Sequence, residues 1–477
     1  METKNLWKSY TASELKKLEA LCERYKEYLS TSKTERLCVK NAIREAETAG
    51  FRDLEALIKA GKKLVAGDRF YAQYMGKTLI LGIVGREALT AGTNILGAHI
   101  DSPRLDVKQN PLYENTEFAY LDTHYYGGIK KYQWVAVPLA IYGVVVKKDG
   151  TVVDVAIGDE EDDPVFCVSD LLIHLAKNQM SKTASVVIEG EALDLLIGSR
   201  PLPEKKAKGK AAKADEEKAK EAKEAVKANV LGLLKEKYGM EEEDFLSAEL
   251  EIVPAGKARD LGLDRSMILG YGHDDRVCAY TSLAAILDCK TPSRTALCIL
   301  SDKEEIGSVG ATGMESRFFE NTVAEVMELA GCYSELNLRR ALARSCVLSS
   351  DVSAGFDPLY ASAFETKNSA YLGHGVCFNK FTGAGGKGGS NDANAEYIGK
   401  LRGVMEAGKV GFQTAELGKV DEGGGGTIAL ILANYGMNVI DSGVAVLNMH
   451  APWEAASKAD IYEAYKAYGV FLEKMEM

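Results

Sequence analysis

Residues 93–106 read TNILGAHIDSPRLD. The apolar run that opens this stretch is typical of a buried strand, and a similar run, TLILGIVG, covers residues 78–85. From about residue 106 the pattern changes: residues 134–159, WVAVPLAIYGVVVKKDGTVVDVAIGD, hold two strand-like runs around Asp149–Gly150, which is a strong hairpin signal. After about residue 255, strand-like runs alternate with helical segments to the end of the chain, which favours a βαβ sheet.

These patterns predict an α/β fold class, with a mixed central sheet flanked by helices and an inserted β-rich domain. We place the first part of the α/β domain at residues 1–105, the insertion at 106–254 and the second part of the α/β domain at 255–477. Within the insertion, residues 204–228 are almost wholly Ala, Lys and Glu. Such a stretch cannot bury a core, so we expect a solvated helix or a disordered surface arm there.

The composition excludes several classes of function. The 477 residues carry 58 Lys and Arg against 69 Asp and Glu, a net charge of −11, so neither nucleic acid nor an anionic membrane is an expected partner. No apolar run approaches the roughly 20 residues needed to span a bilayer, and the opening METKNLWKSYTASELKKLEA does not resemble a signal peptide. Nine cysteines without a CxxC pair indicate free thiols, and hence a cytoplasmic protein.

Metal-ligand side chains follow several of the predicted strands. Of only six histidines, His99 ends the run NILGAHI and His450 follows AVLNMHAP. Asp101 lies two residues past His99, so both side chains share one face of an extended chain. Between the histidines lie GHDDR (272–276), SDKEEIGS (301–308) and SSDVS (349–353). Because groups just past the carboxyl ends of strands converge on one crevice of an open α/β sheet, we expect these side chains to meet.

Carboxylates gathered in one crevice repel each other unless a cation neutralises them. Imidazole combined with carboxylate suits zinc, with manganese or cobalt as substitutes. Each residue alone has an ordinary interpretation, because single histidines and paired acids are usually structural or solvated. The set as a whole favours a metal centre. HExxH and GxSxG are absent, and GAGGKGGS (383–390) lacks the spacing of a P-loop, so it fits a flexible loop beside a substrate cleft better.

Five motifs together resemble one known family. In this order, HIDSPRLD, GHDDR, DKEEIGS, SSDVS and NMHAPWE are similar to those of the aspartyl aminopeptidases, which are co-catalytic zinc peptidases. The resemblance extends over nearly the whole chain and includes VSDLLIHLAKN (168–178). It implies an α/β fold of the zinc-peptidase type, whose inserted β-rich domain mediates dimerisation and higher oligomerisation. It also implies a homo-oligomer of twelve subunits.

The resemblance assigns roles to the candidate residues. It implies two divalent metal ions per subunit, one bound by His99 and Asp351 and the other by Glu305 and His450, with Asp274 bridging them. Glu304 would be the general base, and Asp101 would accept a hydrogen bond from the second ring nitrogen of His99. Asp275 stands where the family often has Asn, so either acid of the pair Asp274–Asp275 could bridge.

Substrate recognition is the other implication. Peptides with a free N-terminus would be the substrates, with an acidic or broad preference for the first residue. An acidic side chain requires a nearby cation, for which Lys387 and Lys380 are the candidates; His174 would reach the site of a neighbouring subunit. A related two-metal carboxypeptidase or deacylase is one alternative. A non-catalytic assembly scaffold is the other, although such a protein is expected to have lost a ligand or the base.

Overall fold

The computed structural model describes residues 4–203, 224–383 and 385–477. Contacts divide the chain into two compact units, one formed by Met1–Ser102 with Lys257–Met477 and the other by Pro103–Gly256. The second unit therefore begins three residues before the predicted boundary of the insertion, because the strand that starts at Arg104 already pairs within its sheet. Most of the lysine-rich stretch, residues 204–223, lies outside the described residues.

The larger unit contains most of the helices. They are α1 (Ala12–Thr31), α2 (Glu35–Thr48), α3 (Leu54–Lys59), α5 (His273–Asp288), α6 (Phe318–Leu329), α7 (Glu335–Ala343), α8 (Ala395–Ala407), α9 (Ile428–Ala433) and α10 (Lys458–Lys474), while α4 (Ala225–Tyr238) belongs to the inserted unit. In the described parts of the chain, no helix is long and apolar enough to cross a membrane.

The inserted unit is built on one sheet of seven strands. Its strands are β5 (Arg104–Asn115), β6 (Phe118–Tyr126), β7 (Leu139–Val146), β8 (Val152–Ile157), β9 (Cys167–Val168), β10 (Leu195–Gly198) and β11 (Ala248–Pro254), in the order β8-β7-β11-β5-β6-β10-β9. Strands β7 and β8 are antiparallel, and Gly150 between them has a φ of 86°, a conformation that favours glycine. The hairpin predicted around Asp149–Gly150 is therefore confirmed.

The larger unit is organised around a mixed sheet of nine strands. These are β1 (Arg52–Asp53), β2 (Arg69–Tyr74), β3 (Thr78–Ile83), β4 (Thr93–His99), β14 (Thr295–Ser301), β15 (Cys346–Ser349), β17 (Val376–Asn379), β18 (Phe412–Ala415) and β19 (Asn438–Gly443), in the order β1-β2-β3-β14-β4-β15-β19-β17-β18. Strands β14, β4, β15 and β19 run parallel, whereas β3 and β17 are antiparallel to their inner neighbours. The predicted fold class, a mixed sheet flanked by helices, is confirmed.

Alternation along these strands divides the core in two. In β14, Cys298 and Leu300 belong to one apolar cluster together with α1, α2, α5, α8 and α10, whereas Leu297 and Ile299 belong to a second with α3, α6 and α7. Successive side chains of a strand point to opposite faces, so both faces of the sheet are covered by helices. The central strands are consequently buried on both faces, and this explains their continuous apolar sequences.

A smaller sheet of five strands completes the larger unit. Its strands are β12 (Arg259–Leu261), β13 (Met267–Gly270), β16 (Ser353–Ala354), β20 (Ala445–Leu447) and β21 (Glu454–Ser457), in the order β12-β13-β21-β20-β16. Strand β13 leads directly into α5, and β20 and β21 flank the loop that carries His450. This small sheet therefore carries two of the segments that hold candidate ligands.

Candidate metal centre

Three adjacent parallel strands end beside one another and carry candidate ligands. Strand β4 ends at His99, whose register partner in β14 is Ser301, and Glu304 and Glu305 follow in the next turn. On the other side of β4, β15 ends at Ser349, two residues before Asp351. Carboxyl ends of parallel strands share one edge of a sheet, which is why these side chains meet.

The imidazole of His99 is oriented by a backbone carbonyl. Its Nδ1 lies 3.0 Å from the carbonyl oxygen of Asp101. A carbonyl can only accept a hydrogen bond, so Nδ1 carries the proton and Nε2 presents its lone pair to the crevice. On that side, Nε2 lies 3.2 Å from Asp274 Oδ1, 3.9 Å from Glu304 Oε2 and 4.0 Å from Asp351 Oδ1.

Asp274 lies between the two histidines. Its Oδ1 is 3.2 Å from His99 Nε2, and its Oδ2 is 3.2 Å from His450 Nε2. His450 Nε2 is also 3.6 Å from Glu305 Oε2. Two atoms that bind the same zinc ion in tetrahedral geometry, each at about 2.0–2.2 Å, are about 3.3–3.6 Å apart, so these separations suit a shared cation.

Two overlapping triads have ligand atoms close enough for one ion. They are His99 with Asp274 and Glu305, and His99 with Glu304 and Asp351. Both triads combine one imidazole with two carboxylates, the donor set of zinc, manganese and cobalt sites. Among the described residues, no hydrogen-bond donor reaches Asp274 Oδ1 or Glu305 Oε1. An uncompensated carboxylate oxygen is costly to bury, and a cation compensates it, so the residues fit a bound metal.

The neighbouring Asp275 has different surroundings. Its carboxylate accepts a hydrogen bond from the backbone N–H of His99, at 3.3 Å, rather than facing an imidazole nitrogen. Asp274 and Asp275 lie at the start of α5 with non-helical backbone angles, which direct the two side chains differently. Of the two acids that the sequence left as alternatives, Asp274 is therefore the one between the histidines.

Burial shifts the pKa values of the carboxyls in the centre. Burial raises the pKa of Asp351 and of Glu305 well above the ordinary range, and it raises that of Glu304 to about 7. Burial also acts on Asp274, but the adjacent imidazoles of His450 and His99 outweigh it and lower the pKa of that carboxyl. A divalent cation would favour the ionised form of all four carboxyls.

Asp101 makes a contact that the sequence did not predict. Its carboxylate lies 3.4 Å from His99 Nδ1, and the carbonyl of the same residue is the closer acceptor. The carboxylate instead accepts the backbone N–H groups of Glu304 and Glu305, each at 3.1 Å. Asp101 therefore holds the turn that presents both glutamates, in addition to lying beside the imidazole.

Comparison with known proteins identifies the family. A family model described as Aminopeptidase I zinc metalloprotease (M18) matches residues 28–472. The chain belongs to the M18 peptidase family. A relative from Clostridium acetobutylicum, named "Probable M18 family aminopeptidase 1", is 59% identical over 471 residues, which are 99% of this chain and 98% of that protein. The chain is accordingly a metallo-aminopeptidase, as its five motifs predicted.

Solved structures of M18 proteins have the same fold. An M18 aminopeptidase from Thermotoga maritima has a TM-score of 0.91 at 43% identity and covers 100% of both chains. Aminopeptidase I from C. acetobutylicum has a TM-score of 0.90 at 56% identity, with 99% of this chain and 100% of that chain covered. The S. cerevisiae mApe1 dodecamer, at 18% identity, has a TM-score of 0.73 over 96% of this chain and 97% of that chain and shows a likeness of fold alone.

Lys387, Lys380 and His174, the residues expected to bind substrate in this M18 chain, lie in loops or short turns. Lys387 Nζ lies 3.2 Å from Asp392 Oδ2 and over the ring of Phe381, while Lys380 Nζ is 3.8 Å from Asp392 Oδ1. His174 belongs to a short 3-10 turn of the inserted unit and is exposed. The run SDLLIHLAK could by itself also place His174 in a buried helix, and its exposed position contradicts that interpretation.

Two residues outside the predicted set contact the ligands. Glu454 accepts the backbone N–H groups of Asp274, at 3.0 Å, and His450, at 2.6 Å. Ser102 donates its hydroxyl to the carbonyl of Asp274, at 2.6 Å. One feature of the sequence could have indicated a role for Glu454, because an acid opens the buried run EAAS. Burial acts to raise the pKa of Glu454, and the two N–H donors act to lower it.

Proposed function

We propose that the chain removes the first residue of peptides with a free N-terminus, using a water molecule activated by two divalent cations. The observation that carries this proposal is the position of Asp274 between two imidazoles. Its Oδ1 lies 3.2 Å from His99 Nε2, and its Oδ2 lies 3.2 Å from His450 Nε2. His99 and Asp351 would hold one cation, Glu305 and His450 would hold the other, and Asp274 would be shared between the two sites. Zinc is the preferred metal, and manganese or cobalt would serve the same ligands.

When bound, the two cations would acidify a water molecule and polarise the carbonyl of the first peptide bond. The residues of the chain do the rest. Glu304 takes the proton from the attacking water and delivers it to the leaving amine. Burial raises the pKa of Glu304 above that of a free carboxyl, and this favours proton uptake by the group.

Glu304 has an alternative role as a ligand, since its carboxylate also groups with His99 and Asp351. The relative burial of the two adjacent glutamates favours the base assignment. The side chain of Glu304 is 15% exposed and that of Glu305 is 4% exposed, so Glu304 has freer access to solvent and substrate. A base must reach the attacking water and the leaving amine, whereas a ligand need only reach the metal.

Recognition of an acidic first residue would require a cation beside the side chain of that residue. Lys387 and Lys380 share Asp392 as their anionic partner, and each is about half exposed. A substrate carboxylate could replace Asp392 at Lys387, because a surface ion pair is worth only about 0–1 kcal/mol. We therefore propose an acidic or broad preference for the first residue of the substrate, with Lys387 as the main residue that binds an acidic side chain.

A twelve-subunit homo-oligomer is the proposed assembly, with the inserted unit making subunit contacts. The support is an exposed apolar segment around His174, in which Leu172 is 54%, Ile173 is 68% and Leu175 is 67% exposed. A contiguous apolar surface of this kind commonly marks an interface. In such an assembly His174 would contact substrate in a neighbouring subunit. The nine cysteines are free thiols, which supports the expected cytoplasmic location.

The experiment compares one peptide with a free amine, the same peptide acetylated at its N-terminus, and metal content per subunit. Release of the first residue from the free peptide alone, by protein holding two metal ions per subunit, is the expected result. Release of the last residue from both peptides would instead indicate a carboxypeptidase, and removal of the acetyl group alone would indicate a deacylase. No cleavage of either peptide by the metal-loaded protein would favour the scaffold.

A further inference from the structure

Glu454 contacts the backbone of two proposed metal ligands at once. Its Oε2 accepts the N–H of Asp274 at 3.0 Å, and its Oε1 accepts the N–H of His450 at 2.6 Å. The residue is 1% exposed, so these contacts are shielded from water. One buried carboxylate thus joins the segment that carries the proposed bridging acid to the segment that carries the second imidazole.

The small sheet explains why one side chain reaches both segments. Glu454 opens β21, and its register partner in the antiparallel strand β13 is Gly270. Asp274 lies four residues beyond Gly270, just after β13 ends, and His450 lies four residues before Glu454. Pairing of β13 with β21 therefore brings Glu454 to the point where both ligand segments leave the sheet.

The backbone at both ligand positions departs from regular helix and strand conformation. His450 has a left-handed φ of 65°, and Asp274 has φ −80° and ψ 109° at the start of α5. A backbone N–H outside a helix or strand takes its acceptor from a turn carbonyl, a side chain or water, and here the acceptor is a side chain. Glu454 supplies both acceptors and so restrains the two backbones relative to each other.

We infer that Glu454 is a positioning residue of the metal centre, which holds Asp274 and His450 in register through their backbone amides. The inference rests on the proposed two-metal function. A carboxylate suits this role because both of its oxygens only accept hydrogen bonds. Glutamine has the same shape, but it turns an NH₂ donor towards one of the two amides. Aspartate keeps both acceptors and is one methylene shorter, so it cannot reach both amides equally well.

The test is the metal affinity of Glu454→Gln, measured by titrating zinc into the metal-free full-length protein against a chromophoric chelator. We expect binding to weaken about 10–100-fold in at least one of the two sites, the usual effect of losing a group that orients a ligand. The visible spectrum of the cobalt-loaded variant should also differ from that of the wild type, because ligand geometry changes.

Glu463→Gln is the matched control. Glu463 is also a buried glutamate, 1% exposed, and its Oε2 accepts the N–H of Gly411 at 2.6 Å. This control should lower the melting temperature and leave zinc affinity and the cobalt spectrum unchanged. If Glu454→Gln behaves in the same way as Glu463→Gln, Glu454 is merely structural and the inference is overturned.

The remaining outcomes also decide the matter. Wild-type protein that binds no metal would refute the proposed function itself, independently of Glu454. If Glu454→Gln does not fold, Glu454→Asp replaces it and should bind zinc more weakly than the wild type. Wild-type affinity in Glu454→Asp, or failure of both variants to fold, would overturn the inference in favour of a purely structural role.

Discussion

Substitution of Asp101 by asparagine tests how the turn that presents the two glutamates is held. The backbone carbonyl that accepts from His99 Nδ1 remains in the variant, so the histidine keeps its tautomer. The side chain loses one of two acceptors, and its NH₂ group faces the N–H of Glu304 or Glu305. The variant therefore acts mainly on the contact with the glutamates, because the carbonyl at 3.0 Å is a closer acceptor for His99 than the carboxylate at 3.4 Å.

The expected magnitude follows from these contacts. A hydrogen bond to a charged group contributes roughly 1.5–3 kcal/mol, and a buried donor without a partner adds to the cost of losing it. We expect Asp101→Asn to lower the free energy of unfolding of the larger unit by about 2–4 kcal/mol. For a unit of about 300 residues, that is a fall in melting temperature of about 3–6 °C. Zinc affinity should fall about 10–100-fold, because the turn no longer holds Glu305 in place.

Asp460→Asn provides a closely matched control. Asp460 is a buried aspartate that accepts two backbone N–H groups, from Gly373 and Gly375, each at 2.7 Å. Calorimetry of the metal-free proteins should show a similar loss of stability in both variants, while zinc titration should show weaker binding only in Asp101→Asn. Equal zinc affinities in the two variants, or an Asp101→Asn protein as stable as the wild type, would refute the reasoning.

Three further predictions concern activity. Exhaustive chelation should abolish activity, and zinc, manganese or cobalt should restore it; activity that survives in metal-free protein would contradict the metal centre. Mixing His174→Ala with Glu304→Gln subunits should restore part of the activity in hybrid oligomers. If the subunits exchange freely and no activity returns, the site is not shared between subunits. Lys387→Ala should reduce kcat/KM for an Asp-peptide far more than for a Leu-peptide. Equal losses for the two peptides, or a wild-type preference for Leu, would contradict the binding of an acidic side chain by Lys387.

The sequence predicted those features of the centre that depend on strand order alone. His99, Glu305 and Asp351 follow parallel neighbouring strands, and topology brings the carboxyl ends of such strands together whatever the loops do. The same reasoning predicted the mixed sheet and its flanking helices. Apolar runs that are buried on both faces are a strong signal in any sequence.

Features that depend on loop conformation could not be predicted in this way. The contact between Asp101 and the amides of both glutamates requires the left-handed turn at Lys303, which has a φ of 67°. The orientations of Asp274 and Asp275 depend on non-helical angles at the start of α5. Glu454 acts across a strand register that no local pattern specifies. Lys387 and Lys380 lie near a glycine-rich loop, where a charge can pair with any neighbour, and here that neighbour is Asp392.

Metal content and kcat, measured together in Glu304→Gln and Glu305→Gln, test the central claim most directly. If Glu304 is the base and Glu305 a ligand, Glu304→Gln keeps two metal ions per subunit and loses about 10²–10⁴-fold in kcat. Glu305→Gln should lose metal as well as activity. Metal loss in Glu304→Gln together with full retention in Glu305→Gln would contradict the assignment and make Glu304 the ligand.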